Sequence, residues 1–356
     1  MLKGLKAGLA SVAVCGLVIG VVVVPGCTSV GYYRQAISGH LSMMIKREPV
    51  AELLADPDLP AALRHKLELT REVLAFAEGL GLPVDGSYSS YVATGKQFLV
   101  WNVMASPEFS LTPELFCYPI AGCVSYRGYF AREAAEGVAD QLRATGFDVY
   151  MGGVTAYSTL GWFDDPLLDT FLARDDVYLA ALLFHELAHK AVYVQSDSVF
   201  NESLATTVET EAMGVWLEDR GEAAAFTAFV DEQRRRDEVV GLVNETRAQL
   251  AEVYRADLPV EAMRDRKQAV IRSLRSAYSE LRAGWGGPEP YRVWVEGEIN
   301  NAKLGTISTY HSHVPAFRQI YREAGSMAAF LARCRELAAM SEADRTAALA
   351  TAAPGA

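Results

Sequence analysis

The stretch Phe184–Lys190 reads FHELAHK and places two histidines one helical turn apart, with a glutamate between them. Positions i and i+4 of an α-helix share a face, so the imidazoles of His185 and His189 can reach one metal ion. The apolar run Ala180–Phe184 precedes the motif and predicts a buried helix, on which polar groups need a partner. These features favour a zinc site over two core histidines with a salt-bridged glutamate.

A catalytic zinc ion needs a third protein ligand and an open position for water. Two carboxylates follow the histidines within the segment Asn201–Glu209, which reads NESLATTVE. On spacing alone Glu209 competes with Glu202, because its distance from His189 matches thermolysin-like enzymes. The segment resembles the N-E-G-F-A-x-x-V-E segment of gluzincin aminopeptidases, which implies that Glu202 binds zinc and Glu209 orients a histidine N–H. The short gap before this segment implies a tight loop at 195–200.

Two further residues are candidates for the chemistry. Glu186 follows His185 but points off the ligand face, so it can act as general base toward a zinc-activated water and pass the proton to the leaving amine. Gluzincins place a tyrosine or histidine beside the oxyanion, and the segment Ser308–His313 reads STYHSH. We expect Tyr310 to have this role. The alternative is that these residues only decorate a loop.

The N-terminus resembles a bacterial lipoprotein signal. Lys3 and Lys6 precede an uncharged apolar run, residues 7–24, which is near the lower limit for spanning a bilayer. The run ends in Val24–Cys27, which reads VPGC and resembles a lipobox. This predicts cleavage after residue 26, acylation of Cys27 and a location in the cell envelope, at a membrane and outside the cytoplasm. An uncleaved membrane anchor is the alternative.

The charge of the chain excludes one class of partner. The formal net charge of the 356 residues is −11, and removal of Lys3 and Lys6 with the signal makes it −13. An acidic chain lacks the basic patch that nucleic acid requires, and it does not attract anionic headgroups. Cys117 and Cys123 could form a disulfide, leaving Cys334 unpaired, or all three could be free buried thiols.

Hydrophobic periodicity predicts an α+β fold that is predominantly helical, with a small β-sheet before the metal-motif helix. After the signal, residues 1–26, we expect one zincin-like domain over 27–350. Its parts are helical at 27–84, β-rich at 85–165 and helical at 176–350. We expect the Ala-rich tail after Met340 to be frayed, above all at 351–356.

Individual elements follow from the same patterns. The expected strands are 98–104 and 148–154, and the expected helices are 132–145, 177–194, 201–218, 222–254 and 260–283. In the first helix, which begins near Tyr32, five apolar residues fall on one face: Ala36, Ile37, Leu41, Met44 and Ile45. The segments Tyr126–Phe130 and Tyr157–Pro166 are rich in aromatic residues and could line a cleft or fill the core.

Taken together, these motifs resemble the bacterial family of predicted zinc aminopeptidases that are membrane lipoproteins. Besides the zinc motif, the resemblance rests on Gly26–Cys27, Gly31–Gln35, Gly122–Phe130, Tyr157–Gly161 and Asn300–Ala302. It implies a zincin fold and a zinc aminopeptidase acting on peptides. The G-x-M-E-N segment, which grips the free amine of the substrate in related aminopeptidases, does not occur in this sequence. A zinc endopeptidase, a cell-wall peptide hydrolase and a non-catalytic lipoprotein scaffold with a structural metal are the alternatives.

Overall fold

A computed structural model describes residues 32, 35, 38–39, 41–118, 122–155, 165–307 and 313–352. The predicted signal and Cys27 lie outside these ranges, as do the Tyr157–Gly161 segment and Tyr310. Within the described ranges, no helix combines the length and the apolar character needed to cross a membrane.

Eight strands form three small sheets. They are β1 (Glu48–Pro49), β2 (Ser90–Val92), β3 (Val100–Pro107), β4 (Phe116–Tyr118), β5 (Gly122–Val124), β6 (Arg127–Tyr129), β7 (Phe147–Val154) and β8 (Leu167–Leu168). The sheet orders are β1-β2-β8, β6-β3-β7 and β4-β5. Strand β3 pairs antiparallel with β6 and β7, and the long β3–β7 register runs from Val100↔Val154 to Pro107↔Phe147.

Helices make up most of the described chain. They are α1 (Val50–Ala55), α2 (Ala61–Gly79), α3 (Arg132–Ala144), α4 (Asp169–Leu172), α5 (Asp176–Ala191), α6 (Ser198–Asp219), α7 (Ala223–Arg255), α8 (Val260–Ala283), α9 (Arg292–Glu296), α10 (Asn301–Leu304), α11 (Val314–Ala324), α12 (Met327–Ala338) and α13 (Glu342–Ala352). Described residues within 32–45 are also helical. The predominantly helical α+β prediction is confirmed, with most strands preceding the metal-motif helix α5.

Most of the predicted elements are present with small shifts at their ends. The strand expected at 98–104 is β3, and the helices expected at 222–254 and 260–283 are α7 and α8. Within the part predicted as helical, however, the two-residue strand β1 pairs antiparallel with β2. So short a strand shows no periodicity that a sequence pattern could report.

Helix α5 is buried because its apolar face packs on α2 and α6. Leu183, Phe184, Leu187 and Ala188 have no exposed surface, and the Phe184 ring lies 6.4 Å from that of Phe76 on α2. Its first turn is capped by Asp175, whose carboxylate accepts a hydrogen bond from the Tyr178 backbone N–H. The histidines of the motif are therefore presented by a rigid core helix.

The loop between α5 and α6 is short and closed by side chains. The Asn201 amide both donates to the Val194 carbonyl and accepts from the Val194 N–H, each at 2.8 Å. Asp197 caps α6 by accepting from the Phe200 N–H at 3.0 Å. These bonds explain how only six residues, 192–197, connect the two helices, in agreement with the predicted tight loop.

The expectation of a frayed tail after Met340 is wrong for residues 342–352. This stretch forms α13, where Leu349 is 1% exposed and Arg345 is 4% exposed. Arg345 binds Asp197 in the α5–α6 loop, with Nη2 2.6 Å from Oδ2. Alanine is the strongest helix former, so an Ala-rich sequence with a buried leucine and a buried ion pair has good reason to be helical. Residues 353–356 lie outside the described chain.

Cys117 and Cys123 form a disulfide between β4 and β5, so the alternative of three free thiols is wrong. Cys334 is free and fully buried, and burial raises the pKa of its thiol. The Tyr126–Phe130 segment contributes to the core through Tyr129, which is 4% exposed, whereas Tyr126 is 44% exposed.

A buried ion pair joins the α7–α8 hairpin to the central sheet. Lys267 Nζ lies 2.6 Å from Asp148 Oδ2, and their side chains are 5% and 15% exposed. The Asn301 N–H donates to the same carboxylate at 2.8 Å, and the Asn301 amide donates to the carbonyls of Pro107 and Glu108. The Asn300–Ala302 motif therefore has a structural role in the described chain.

Replacing Asp148 with Ala should lower the free energy of unfolding by about 3–5 kcal/mol, because it leaves the Lys267 ammonium buried without its counter-charge. The control is Asp140→Ala, which removes an exposed pair with Arg143 and should cost at most about 1 kcal/mol. Urea unfolding of both variants measures the difference. Equal losses would contradict the assignment of Asp148 as the anchor of the hairpin.

Candidate metal site

The motif helix and α6 bring three potential ligands together. His185 Nε2 lies 3.3 Å from Glu202 Oε2, and His189 Nε2 lies 3.6 Å from Glu202 Oε1. The two imidazole rings are 5.0 Å apart, and one ligand atom from each of the three residues falls within 4.8 Å of the others. Their side chains are 20%, 17% and 37% exposed, so the group is partly open to solvent. This His-His-Glu group could hold a metal ion.

Glu209 lies behind His185, on the opposite side of the ring from Glu202. His185 Nδ1–H donates to Glu209 Oε2 at 3.0 Å, which leaves Nε2 to face Glu202. Gln233 on α7 donates from Nε2 to the other oxygen of Glu209 at 2.9 Å. Since Glu209 meets the far nitrogen of His185, its geometry is that of a supporting carboxylate, and Glu202 occupies the position expected of the ligand.

The two histidines have different electrostatic surroundings. Burial alone lowers the pKa of His185, but its hydrogen bonds to Glu202 and Glu209 outweigh burial and raise the pKa to about 10. The pKa of His189 is lowered to about 4, mainly by burial and then by the charge of His185. His189 is thus neutral at physiological pH, the form in which imidazole binds metals. Its Nδ1 is buried and has no hydrogen-bond partner within the described residues.

Glu186 lies on α5 between these residues. Burial raises the pKa of its carboxyl; Glu202 and Asp165 raise it further, and His185 opposes them. A carboxyl group whose pKa is shifted toward neutrality can both accept and return a proton under physiological conditions. The environment of Glu186 therefore suits acid–base chemistry.

The loop 84–88 supplies a neighbour of Glu186 that the sequence did not reveal. Tyr88 is 8% exposed and has a φ of +60°, and its N–H donates to the Asp165 carbonyl at 2.8 Å. Burial, followed by the charges of Glu186 and Asp165, raises the pKa of its phenol. Lys190 holds the loop through hydrogen bonds to the Val84 carbonyl and the Ser87 hydroxyl. The loop sequence gives no functional signal, apart from the turn residues Asp85 and Gly86.

Tyr310 and its neighbours 308–312 lie outside the described residues, so the role of Tyr310 stays a prediction. The adjoining residue His313 is described, and its N–H donates to the Ser203 hydroxyl at 3.2 Å. Ser203 is next to Glu202 on α6, so the end of this segment lies close to the site. The Tyr157–Gly161 segment is also outside the described residues, although Asp165 just after it lies among the charges that act on Glu186.

Comparison with known proteins decides the family of this chain. A family model described as "Putative aminopeptidase" matches residues 31–349, which is most of the sequence. The chain belongs to this family. Searches of curated proteins and of solved structures gave no match. The family matches the resemblance inferred from the motifs, and it makes peptide-bond hydrolysis the activity against which the geometry is weighed.

The position of Glu209 leads to a test within this family member. Replacing Glu209 with Gln should weaken zinc binding about 10- to 100-fold, because it removes the negative charge that fixes His185 through Nδ1–H. Glu211→Gln is the matched control, since Glu211 is also partly buried on α6 but faces Arg318 and Arg322. Competition with a chromophoric chelator measures both affinities. Equal affinities in the two variants would rule out the supporting role.

Proposed function

We propose that this chain is a zinc-dependent metallopeptidase that removes residues from the N-termini of peptides. The observation that carries the proposal is the group of His185, His189 and Glu202, with their ligand atoms within 4.8 Å of one another and Glu186 on the same helix. Two imidazoles and one carboxylate are a donor set suited to zinc. The family match supports hydrolysis of peptides and action at the N-terminus.

In this proposal the Nε2 atoms of His185 and His189 and the carboxylate of Glu202 hold the metal. When bound, zinc would lower the pKa of a coordinated water to about 7 and polarise the scissile carbonyl. Glu186 accepts a proton from the attacking water on its carboxylate and then donates it to the leaving amine. Glu209, supported by Gln233, keeps His185 in the orientation and tautomer that leave Nε2 to the metal.

We also propose that the Tyr310 hydroxyl stabilises the oxyanion of the transition state. The bond from His313 to Ser203 supports this, because it holds the end of the 308–312 segment beside Glu202. A tyrosine in this role donates its O–H to the developing negative charge.

An endopeptidase or cell-wall peptide hydrolase is the second candidate, favoured by the lack of a G-x-M-E-N segment in the sequence. A peptide library with free and with acetylated N-termini separates the two. An aminopeptidase cleaves only the free peptides and releases single residues, whereas an endopeptidase cleaves both sets internally. If the zinc-loaded protein cleaves neither set, the enzyme proposal fails and the scaffold with a structural metal is favoured.

We propose that Cys27 carries a lipid and holds the enzyme at the outer face of a membrane. The support is the apolar run followed by Val24–Cys27. Mass spectrometry of the mature protein tests it: the proposal predicts a chain that begins at an acylated Cys27. An unmodified Cys27, or a retained residue 1–26 segment, would contradict it.

A further inference from the structure

The helical residues 41–45 direct apolar side chains into solvent. Leu41 is 52% exposed and Ile45 is 82% exposed, and the two lie four residues apart on one face of the helix. Met43, which points to a different side, is 8% exposed and belongs to the main core. The apolar face noticed in the sequence is therefore turned outward at the positions that the structure describes.

The helical segment cannot easily turn this face inward, because it is held to the body of the protein. The Gln35 side chain donates to the Gly128 carbonyl and accepts from the Phe130 N–H, so it pairs with the free edge of strand β6. At Gly39 the backbone comes so close to Phe130 that an added Cβ would lie 2.3 Å from the ring. The segments Gly31–Gln35 and Tyr126–Phe130, quoted separately from the sequence, thus form one docked unit.

A second exposed apolar group lies on the same unit. Leu115 is 53% exposed and Tyr126 is 44% exposed. Both are close in sequence to side chains that contact Tyr32: the Tyr118 ring is 5.5 Å from the Tyr32 ring, and Arg127 Cζ is 4.2 Å from its centroid. Four of the nine large apolar side chains that are exposed in the described chain thus belong to this unit: Leu41, Ile45, Leu115 and Tyr126.

We propose that this apolar surface rests in the interface of the lipid bilayer to which Cys27 is attached. Five residues separate Cys27 from Tyr32, and a fully extended chain of that length spans at most about 18 Å. The lipid therefore holds the unit against the membrane. Tyrosine and aliphatic side chains favour this interfacial region, and the acidic net charge excludes attraction by charge as the main cause.

This inference rests on the proposed acylation of Cys27 and goes beyond it, since a lipid alone would leave the body free to rotate. Docking of Leu41 and Ile45 fixes the helix parallel to the membrane. Through Gln35 and Gly39 it also fixes the orientation of the sheet β6-β3-β7.

The test uses the full-length acylated protein in vesicles of phosphatidylcholine, with a fluorophore on a cysteine introduced by Ile45→Cys. Val293→Cys is the matched control, because Val293 is 77% exposed but lies on α9, outside the unit. Labelling is selective since Cys117 and Cys123 are bonded to each other and Cys334 is buried. Spin-labelled lipids should quench the probe at position 45, at a depth of about 5–10 Å below the headgroups, and spare the probe at position 293.

Several outcomes would overturn the inference, and they can be told apart. A probe at position 45 that stays accessible to aqueous iodide, while the protein floats with the vesicles, shows an anchor without docking. Shielding that grows with protein density shows a second copy on this surface. Protein that does not float and has an unmodified Cys27 shows that the anchor itself is wrong. Peptide hydrolysis by the same samples reports on the catalytic proposal independently.

Discussion

Glu186→Gln should reduce peptide hydrolysis by about 10²- to 10⁴-fold while the chain keeps its metal. The amide has nearly the shape of the carboxylate but cannot accept the proton of the attacking water. The three proposed ligands are untouched, so zinc affinity should change little. Steady-state kinetics and metal content, measured on the same preparations, separate loss of the base from loss of the ion.

Glu211→Gln is the control for this variant, because it removes a partly buried carboxylate of α6 that faces Arg318 and Arg322. It should retain wild-type turnover. Full activity in the Glu186→Gln protein would eliminate Glu186 as general base. Loss of zinc from that protein would instead make Glu186 part of the metal-binding group.

The second large effect concerns the metal itself. His189→Ala should weaken zinc binding by more than the 10- to 100-fold expected for a supporting residue such as Glu209, because it removes a direct ligand. Activity should fall with occupancy and return in part at high zinc concentration. Isothermal titration of the purified variant, compared with the wild type, measures the affinity.

His65→Ala controls for the loss of a histidine as such. His65 is on α2, its side chain is 59% exposed, and it pairs with Asp176 at the start of α5. Its removal should leave zinc affinity unchanged. If His65→Ala and His189→Ala lose zinc equally, the effect comes from disturbance of α5 and not from loss of a ligand.

The centre of the site was predictable because its signals are local. The i, i+4 spacing of His185 and His189 on an apolar helix specifies which side chains share a face. The Asn201–Glu202 motif then identified the carboxylate that the structure brings to them. Glu209 could be separated from Glu202 only by resemblance in the sequence, whereas the structure separates them by the two nitrogens of the His185 ring.

The supporting residues were not predictable because their contacts join distant parts of the chain. Gln233 is one of many polar residues on a long charged helix, and only tertiary packing brings it to Glu209. Tyr88 lies in a loop whose sequence indicates a turn and nothing more. The tail was misjudged because its terminal position was given more weight than its alanine content and Arg345, whose partner Asp197 is far away in sequence.

The most direct test of the account is the metal content of the wild-type protein together with its activity on an unbiased peptide mixture. The account predicts one zinc ion per chain, loss of cleavage when a chelator removes it, and recovery when zinc is restored. A wild-type chain that binds no metal, or a zinc-loaded chain that cleaves no peptide in the mixture, would contradict it.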